Sequence, residues 1–161
     1  MADPLRLLVV CLGNICRSPM AEGALRARLH AAGWSDAVQV DSAGTGGWHV
    51  GDPPDPRAVA CAARNGVDIA AQRARQLQPG DFSAFDVILC ADRSTLRNVR
   101  AVAPGDARAQ VLLLSQHAHG DARDVPDPYT GGDAQFDHAW ALVDGMARAI
   151  VDGLRAGRGR T

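Results

Sequence analysis

The apolar run LRLLVV at Leu5 to Val10, broken only by Arg6, opens directly into CLGNICRSPMAEGALRARLHAAG. A segment that short has the length of a strand. Because it lacks polar alternation, it is expected to be covered on both faces, as central strands of parallel sheets are. The residues after it read as a tight loop and then a helix over about Pro19 to Ala32. Ser18 is the expected N-cap, Pro19 the first helical residue, Glu22 a favourable charge near the positive end, and Gly33 the stop. Ligands of open α/β sheets sit at the carboxyl ends of strands, and Cys11 stands at such an end.

Strands and helices keep alternating downstream. A strand is expected at Ala37 to Ser42, then an irregular glycine-rich loop, AGTGGWHVGDPP. Asp55 and Pro56 open a short helix that Gly66 closes. DVILC at 86–90 reads as a buried strand, RSTLRNVRAV at 93–102 as a helix and QVLLLS at 110–115 as a strand. The stretch from Ser115 to Thr130 has no regular period, and a loop of that length inside a compact domain usually serves a site. A helical apolar stripe then runs from about Asp133 to Leu154 through Phe136, Trp140, Val143 and Met146. The pattern predicts one α/β domain over 1–156, a three-layer sandwich around a mostly parallel sheet, with a frayed basic tail at 157–161.

Charge and cysteine usage narrow the function. A net charge of -1 and a pI near 6.5 carry no footprint of nucleic-acid or anionic-membrane binding, so any anion site must be local. All 17 basic residues are arginine, which rules out lysine Schiff bases and the lysine of a nucleotide-binding Walker loop. No apolar run approaches membrane-span length, and the start lacks a leader pattern. The four cysteines form no C-x-x-C pair, so a reduced, cytoplasmic protein without metal or cofactor is expected, export by a leaderless route aside.

The C-x5-R-S spacing from Cys11 to Ser18, set between a buried strand and a helix, has a direct chemical meaning. The amides of Leu12, Gly13, Asn14, Ile15, Cys16, Arg17 and Ser18 can curl around one tetrahedral oxyanion, with the helix aiming its positive end at the same point. Donors so placed also favour a sulfur anion, making Cys11 a nucleophile. Arg17 offers a planar fork for two phosphate oxygens. Gly13 and Asn14 accept the positive φ that inward-pointing amides require, and Ser18 can donate to the sulfur. A buried cysteine beside an unrelated surface arginine is the alternative, and it leaves the agreement of strand, glycine, asparagine and serine unexplained.

The string VCLGNICRSPMAE resembles the active-site signature of the low-molecular-weight protein tyrosine phosphatases, bacterial type, almost residue for residue. DSAGTGGWHVGDPPDPRA at 41–58, VILCADRS at 87–94 and DPY at 127–129 resemble the family's later blocks, so the likeness spans the domain. It implies a four-stranded parallel sheet and hydrolysis of phosphotyrosine through a phosphocysteine. Within it Cys11 is the nucleophile, Arg17 the clamp, Asp127 the general acid and base, and Ser18 the thiolate partner. Asn14 and Ser42 brace the loop. The partner implied is a tyrosine-phosphorylated protein, a bacterial tyrosine kinase or a host protein among the options. Read unaided, Asp127 fits a turn as well as an acid; the long loop and the likeness together favour the acid.

Trp48 and Tyr129, in the two loops expected to flank the site, read either as walls of a slot for a phenyl ring or as loop packing. Cys16 reads either as a packed residue or, by the likeness, as a redox partner of Cys11. Cys61 and Cys90 read as core. Gln72 stands where many members carry a histidine that supports the loop asparagine, so that support must differ. Thr95 and Thr130 replace a frequent asparagine and a second tyrosine. Arsenate reduction needs two further relay cysteines, for which Cys61 and Cys90 are poorly placed. Arginine phosphatases carry threonine in place of Ile15, and a non-catalytic phosphate-binding or redox module would not need both Cys11 and Asp127.

Overall fold

The computed structural model describes residues 3–157; the basic tail from Arg158 onward lies outside the described residues. Four strands, β1 (Leu5–Cys11), β2 (Val38–Gly44), β3 (Val87–Cys90) and β4 (Gln110–Leu113), form one parallel sheet in the order β2-β1-β3-β4. The order reverses direction at β1, so the crevice between the ends of β1 and β3 is the switch point at which such sheets bind ligands. Val10 pairs with Cys90 of β3 there, and on the other side of β1 Cys11 pairs with Gly44 of β2.

The alternation along β1 decides the layers. Leu7 and Val9 join the core formed with α1 (Arg17–Ala31), α2 (Pro56–Arg64), α5 (Leu114–His119) and α6 (Asp133–Arg155). Leu8 and Val10 point the other way, onto Phe82 of α3 (Asp81–Ala84) and Val99 of α4 (Arg93–Val102). Both sets are fully buried, as the uninterrupted apolar run requires. Asp55 caps α2 by accepting from Arg57 N at 2.9 Å, and Asp92 caps α4 by accepting from Thr95 N at 2.7 Å.

Several local expectations are corrected. Helix α1 begins at Arg17 with Cys16 as N-cap, so Ser18 lies inside the first turn and Pro19 is its third residue. Proline is tolerated there because the first four amides have no intrahelical acceptor. Glu22 falls beyond the first turn, which holds no acidic residue. Strand β2 runs two residues past Ser42, to Gly44. The apolar run at 110–115 turns helical at Leu114, so α5 occupies the start of the stretch expected to be irregular, and α3 falls where no helix is expected from the sequence. Gly13 does not adopt positive φ. Asn14 alone does among the described non-glycine residues, at 58°.

Candidate active site

The loop between β1 and α1 is held from outside by its carbonyls. Thr45 N donates to Cys11 O at 3.0 Å, Gly46 N to Leu12 O at 2.9 Å, Asp55 N to Ile15 O at 2.8 Å and Met20 N to Cys16 O at 3.2 Å. A trans peptide carries its N–H opposite its C=O. With those carbonyls turned outward, the amides of Leu12, Gly13, Cys16 and Arg17 face the middle of the loop. Gly44 is required for this closeness, since a Cβ there would lie 2.9 Å from Leu12 O. At Gly13 a Cβ would approach the His49 ring to 3.2 Å, so its glycine serves contact with His49 rather than left-handed backbone.

The residues behind the loop form one directional chain. Asn14 Nδ2 donates to Ser18 Oγ at 2.8 Å and to Ser42 Oγ at 3.0 Å, while Asn14 Oδ1 accepts from Arg75 N at 3.0 Å. Ser42 Oγ donates its own proton to Glu22 Oε1 at 2.6 Å. Ser18 Oγ, already accepting from Asn14, is left to donate its proton to Cys11 Sγ at 3.0 Å. Burial raises the Glu22 pKa, against the pull of Ser42 and Arg26. Gln72 takes no part in holding Asn14: its Nε2 donates to Pro19 O at 3.1 Å and its buried Oε1 has no partner. The support thus comes from the Arg75 amide and Ser42 instead of position 72.

Arg17 is buried, yet its charge is secured. Nη1 donates to Asp92 Oδ2 at 2.6 Å and to Val125 O at 2.9 Å, and Nη2 lies 3.7 Å from Asp127 Oδ2. Burial works against the guanidinium, but the Cys11 sulfur, Asp92 and Asp127 outweigh it and the pKa moves up. Burial likewise works against the Asp92 carboxylate, and hydrogen bonds from Arg17 and Thr95 overcome that, leaving its pKa below the ordinary range. Asp127 is largely exposed, and its Oδ1 accepts from Tyr129 N at 3.1 Å.

These groups surround one cavity of about 160 Å3, lined by Cys11, Arg17 and Asp127 with Ile15, Trp48 and Tyr129. Leu12, Gly13 and Cys16 line it too, whereas Asn14, Ser18 and Ser42 lie behind the loop. His49, which also lines it, and Asp92, Arg57, Arg75 and Glu22, which hold its walls, are not read as site residues from the sequence, where Glu22 figures only as a helix-start charge. Asp92 sits in the VILCADRS block, and its position just after a strand end is the available signal. Cys16 is a free thiol whose pKa burial and Asp55 push well up. Cys61 and Cys90 are wholly buried, and burial lifts their thiols to about 11 and about 12. Among the described residues no group of side chains is arranged to hold a metal ion, and no helix is long and apolar enough to cross a membrane.

The geometry has close counterparts. A family model described as low molecular weight phosphotyrosine protein phosphatase matches residues 6–158. A low molecular weight phosphotyrosine protein phosphatase of Schizosaccharomyces pombe is 44% identical over 147 residues, covering 89% of this chain and 94% of its own. A low molecular weight protein-tyrosine-phosphatase of Streptomyces coelicolor is 43% identical over 155 residues, covering 93% of each. Among solved structures, a protein tyrosine phosphatase from Entamoeba histolytica with Hepes in the active site superposes with a TM-score of 0.88 at 27% identity, over 96% of this chain and 99% of its own. Vibrio vulnificus Wzb in complex with benzylphosphonate gives 0.82 at 32%, over 92% and 97%. The sequence likeness runs along nearly the whole length, and the chain belongs to the low-molecular-weight phosphotyrosine protein phosphatase family.

Proposed function

We propose that the chain hydrolyses protein phosphotyrosine through a phosphocysteine intermediate. The observation that carries this reading is the convergence of Cys11, Arg17 and Asp127 on one cavity whose rim is apolar. The loop amides take the phosphate oxygens. Arg17, held at Nη1 by Asp92 and Val125, keeps its Nε and Nη2 edge as a fork for two more contacts. The Cys11 sulfur attacks phosphorus, the bond to the phenolic oxygen breaks, and the Asp127 carboxylic acid protonates that oxygen. Water then attacks the phosphocysteine and the Asp127 carboxylate removes its proton. The phosphorus–sulfur bond breaks, and Ser18 stabilises the returning thiolate.

Ile15, Trp48 and Tyr129 supply the walls for a phenyl ring, and Ile15 offers nothing polar to a guanidinium. Cys61 and Cys90 are too deeply buried to relay a disulfide, which disfavours arsenate reduction. Four free thiols suit a reducing, cytoplasmic setting. The macromolecular substrate is a tyrosine-phosphorylated protein, and trapping with Cys11→Ser, read by mass spectrometry, would distinguish a bacterial tyrosine kinase from a host protein. The direct test is release of phenol from phenyl phosphate by the purified protein. Activity should vanish in Cys11→Ser and fall steeply in Asp127→Ala; a wild-type protein that binds phosphate without releasing phenol would overturn the reading.

A further inference from the structure

Next to the cavity of Cys11 lies a larger groove of about 480 Å3, which shares two of its walls, Leu12 and Trp48, with that cavity. Its other apolar lining comes from Leu77, Pro79, Ala101 and Val102, and its polar lining from Thr45 and the amides of Gln76, Gln78 and Asn98. In a chain with 22% charged residues, no residue lining this groove carries a formal charge. Three of the large apolar side chains most exposed to solvent, Leu12, Trp48 and Val102, are gathered here. Isolated apolar residues on a surface need no explanation, but an adjoining set that borders a binding cavity does.

Trp48 is exposed without being loose. A Cβ on Gly46 would meet three atoms of its ring at 1.8 to 2.4 Å, so the indole lies flat against the Gly46 backbone. Gly46 N in turn donates to Leu12 O at 2.9 Å, which ties the seat of the indole to the phosphate loop. The ring stands as a partition between the two cavities, 70% exposed.

Resting on the phosphatase reading, we propose that this groove binds an uncharged apolar side chain of the substrate polypeptide, within three residues of its phosphotyrosine. An extended chain advances roughly 3.3 Å per residue, so a residue two or three places from the phosphotyrosine clears a partition one side chain thick. The groove would discriminate by excluding charge as much as by apolar contact, because an aspartate placed there has no counter-ion. Val102, at the end of α4, supplies apolar surface to the groove without lining the cavity of Cys11.

The test uses the full chain and phosphotyrosine peptides in which leucine or aspartate is placed in turn at each of the three positions on either side. At one or more positions wild type should prefer leucine over aspartate by at least about fivefold in kcat/KM, at the low end for a shallow apolar subsite. Val102→Asn, and more strongly Val102→Lys, which supplies the missing counter-ion, should reduce that ratio towards one while phenyl phosphate turnover stays at the wild-type value. Equal rates for leucine and aspartate peptides in wild type, or a ratio untouched by both variants, overturn the proposal alone. A ratio untouched while Val102→Lys shifts a dimer to monomer in sedimentation would assign the groove to a second copy, also overturning it. Absence of phenyl phosphate turnover in wild type overturns the underlying reading and the proposal with it.

Discussion

Arg57 Nη2 donates to the carbonyl of Tyr129 at 2.9 Å, while Nη1 of the same guanidinium donates to the carbonyl of Gly131 at 2.9 Å. The guanidinium is fixed on its other side by Asp55, through Nε at 3.1 Å and Nη2 at 2.9 Å, and it lies 4.6 Å from the Phe136 ring centre. Asp55 N reaches Ile15 O, so Asp55 and Arg57 form a strap from the phosphate loop to the segment that carries Asp127. Breaking the strap should misplace the acid while leaving the phosphate cradle closed.

Arg57→Ala is therefore expected to slow hydrolysis of phenyl phosphate by about tenfold in kcat, within what an ångström of misplacement costs. Hydrolysis of dinitrophenyl phosphate, whose leaving group needs no proton, should change far less, and the inhibition constant of inorganic phosphate should hold. Arg57→Lys should fail to restore the rate, because an ammonium cannot reach two carbonyls and a carboxylate in one plane. Equal losses for both esters would show that the strap does not act through Asp127.

Asp92→Asn tests the ion pair behind Arg17. Asparagine can still cap α4 with its one oxygen, so the substitution removes the charge and the acceptor that face Arg17 and keeps the cap. Arg17 would keep Val125 O and Asp127 but lose its shortest contact, and kcat/KM should fall by about tenfold or more. The folded Asp92 carboxyl titrates below its unfolded value, so its contribution to stability is complete above an ordinary aspartate pKa of about 3.9. It is lost as the pH falls through the folded value. Thermal unfolding should accordingly show the wild-type advantage over Asp92→Asn intact at pH 5 and above and shrinking below about pH 4.

Much of the fold is readable along the chain because it is local. The run at Leu5 to Val10 announces a doubly covered strand, and α4 spans Arg93–Val102 as its pattern indicates. Ser18 misleads in part for an equally local reason: serine before proline has the chemistry of a cap, and the folded chain gives that place to Cys16. Its bond to the Cys11 sulfur is as the spacing indicates, and the one from Asn14 comes only with the fold. Leu114 ends a run of apolar residues whose period cannot separate strand from buried helix, and its place under α6 decides for helix. Asp92, Arg57 and Arg75 meet partners more than 60 positions away, and no spacing rule reports such pairs.

Asn14 carries two separable burdens. Its backbone sits at φ 58°, which costs a residue with a Cβ roughly 1–2 kcal/mol, and its amide joins Ser18, Ser42 and Arg75. Asn14→Gly keeps the backbone geometry and loses the bonds, whereas Asn14→Ala loses both. Both variants should lower kcat, because Ser18 is then free to turn from the sulfur. Alanine should also unfold at a lower temperature than glycine, by about 2–4 °C for each kcal/mol of strain in a chain of this size. Equal melting temperatures for the two would mean that the loop relaxes its φ at no cost.

Cys16 lines the same cavity as Cys11, and its thiol, pushed well up by burial and Asp55, stays protonated at neutral pH. It therefore does not compete with Cys11 for phosphorus. Hydrogen peroxide would oxidise the Cys11 sulfur to a sulfenic acid, and Cys16 would condense with it, forming a disulfide and releasing water. Inactivation of wild type by peroxide should then be reversed by dithiothreitol, with one disulfide detected by mass spectrometry before reduction. In Cys16→Ser the sulfenic acid has no neighbouring thiol, so prolonged exposure should carry Cys11 on to sulfinic acid and leave activity unrecoverable. Full recovery of Cys16→Ser after the same exposure would show that Cys16 gives Cys11 no protection.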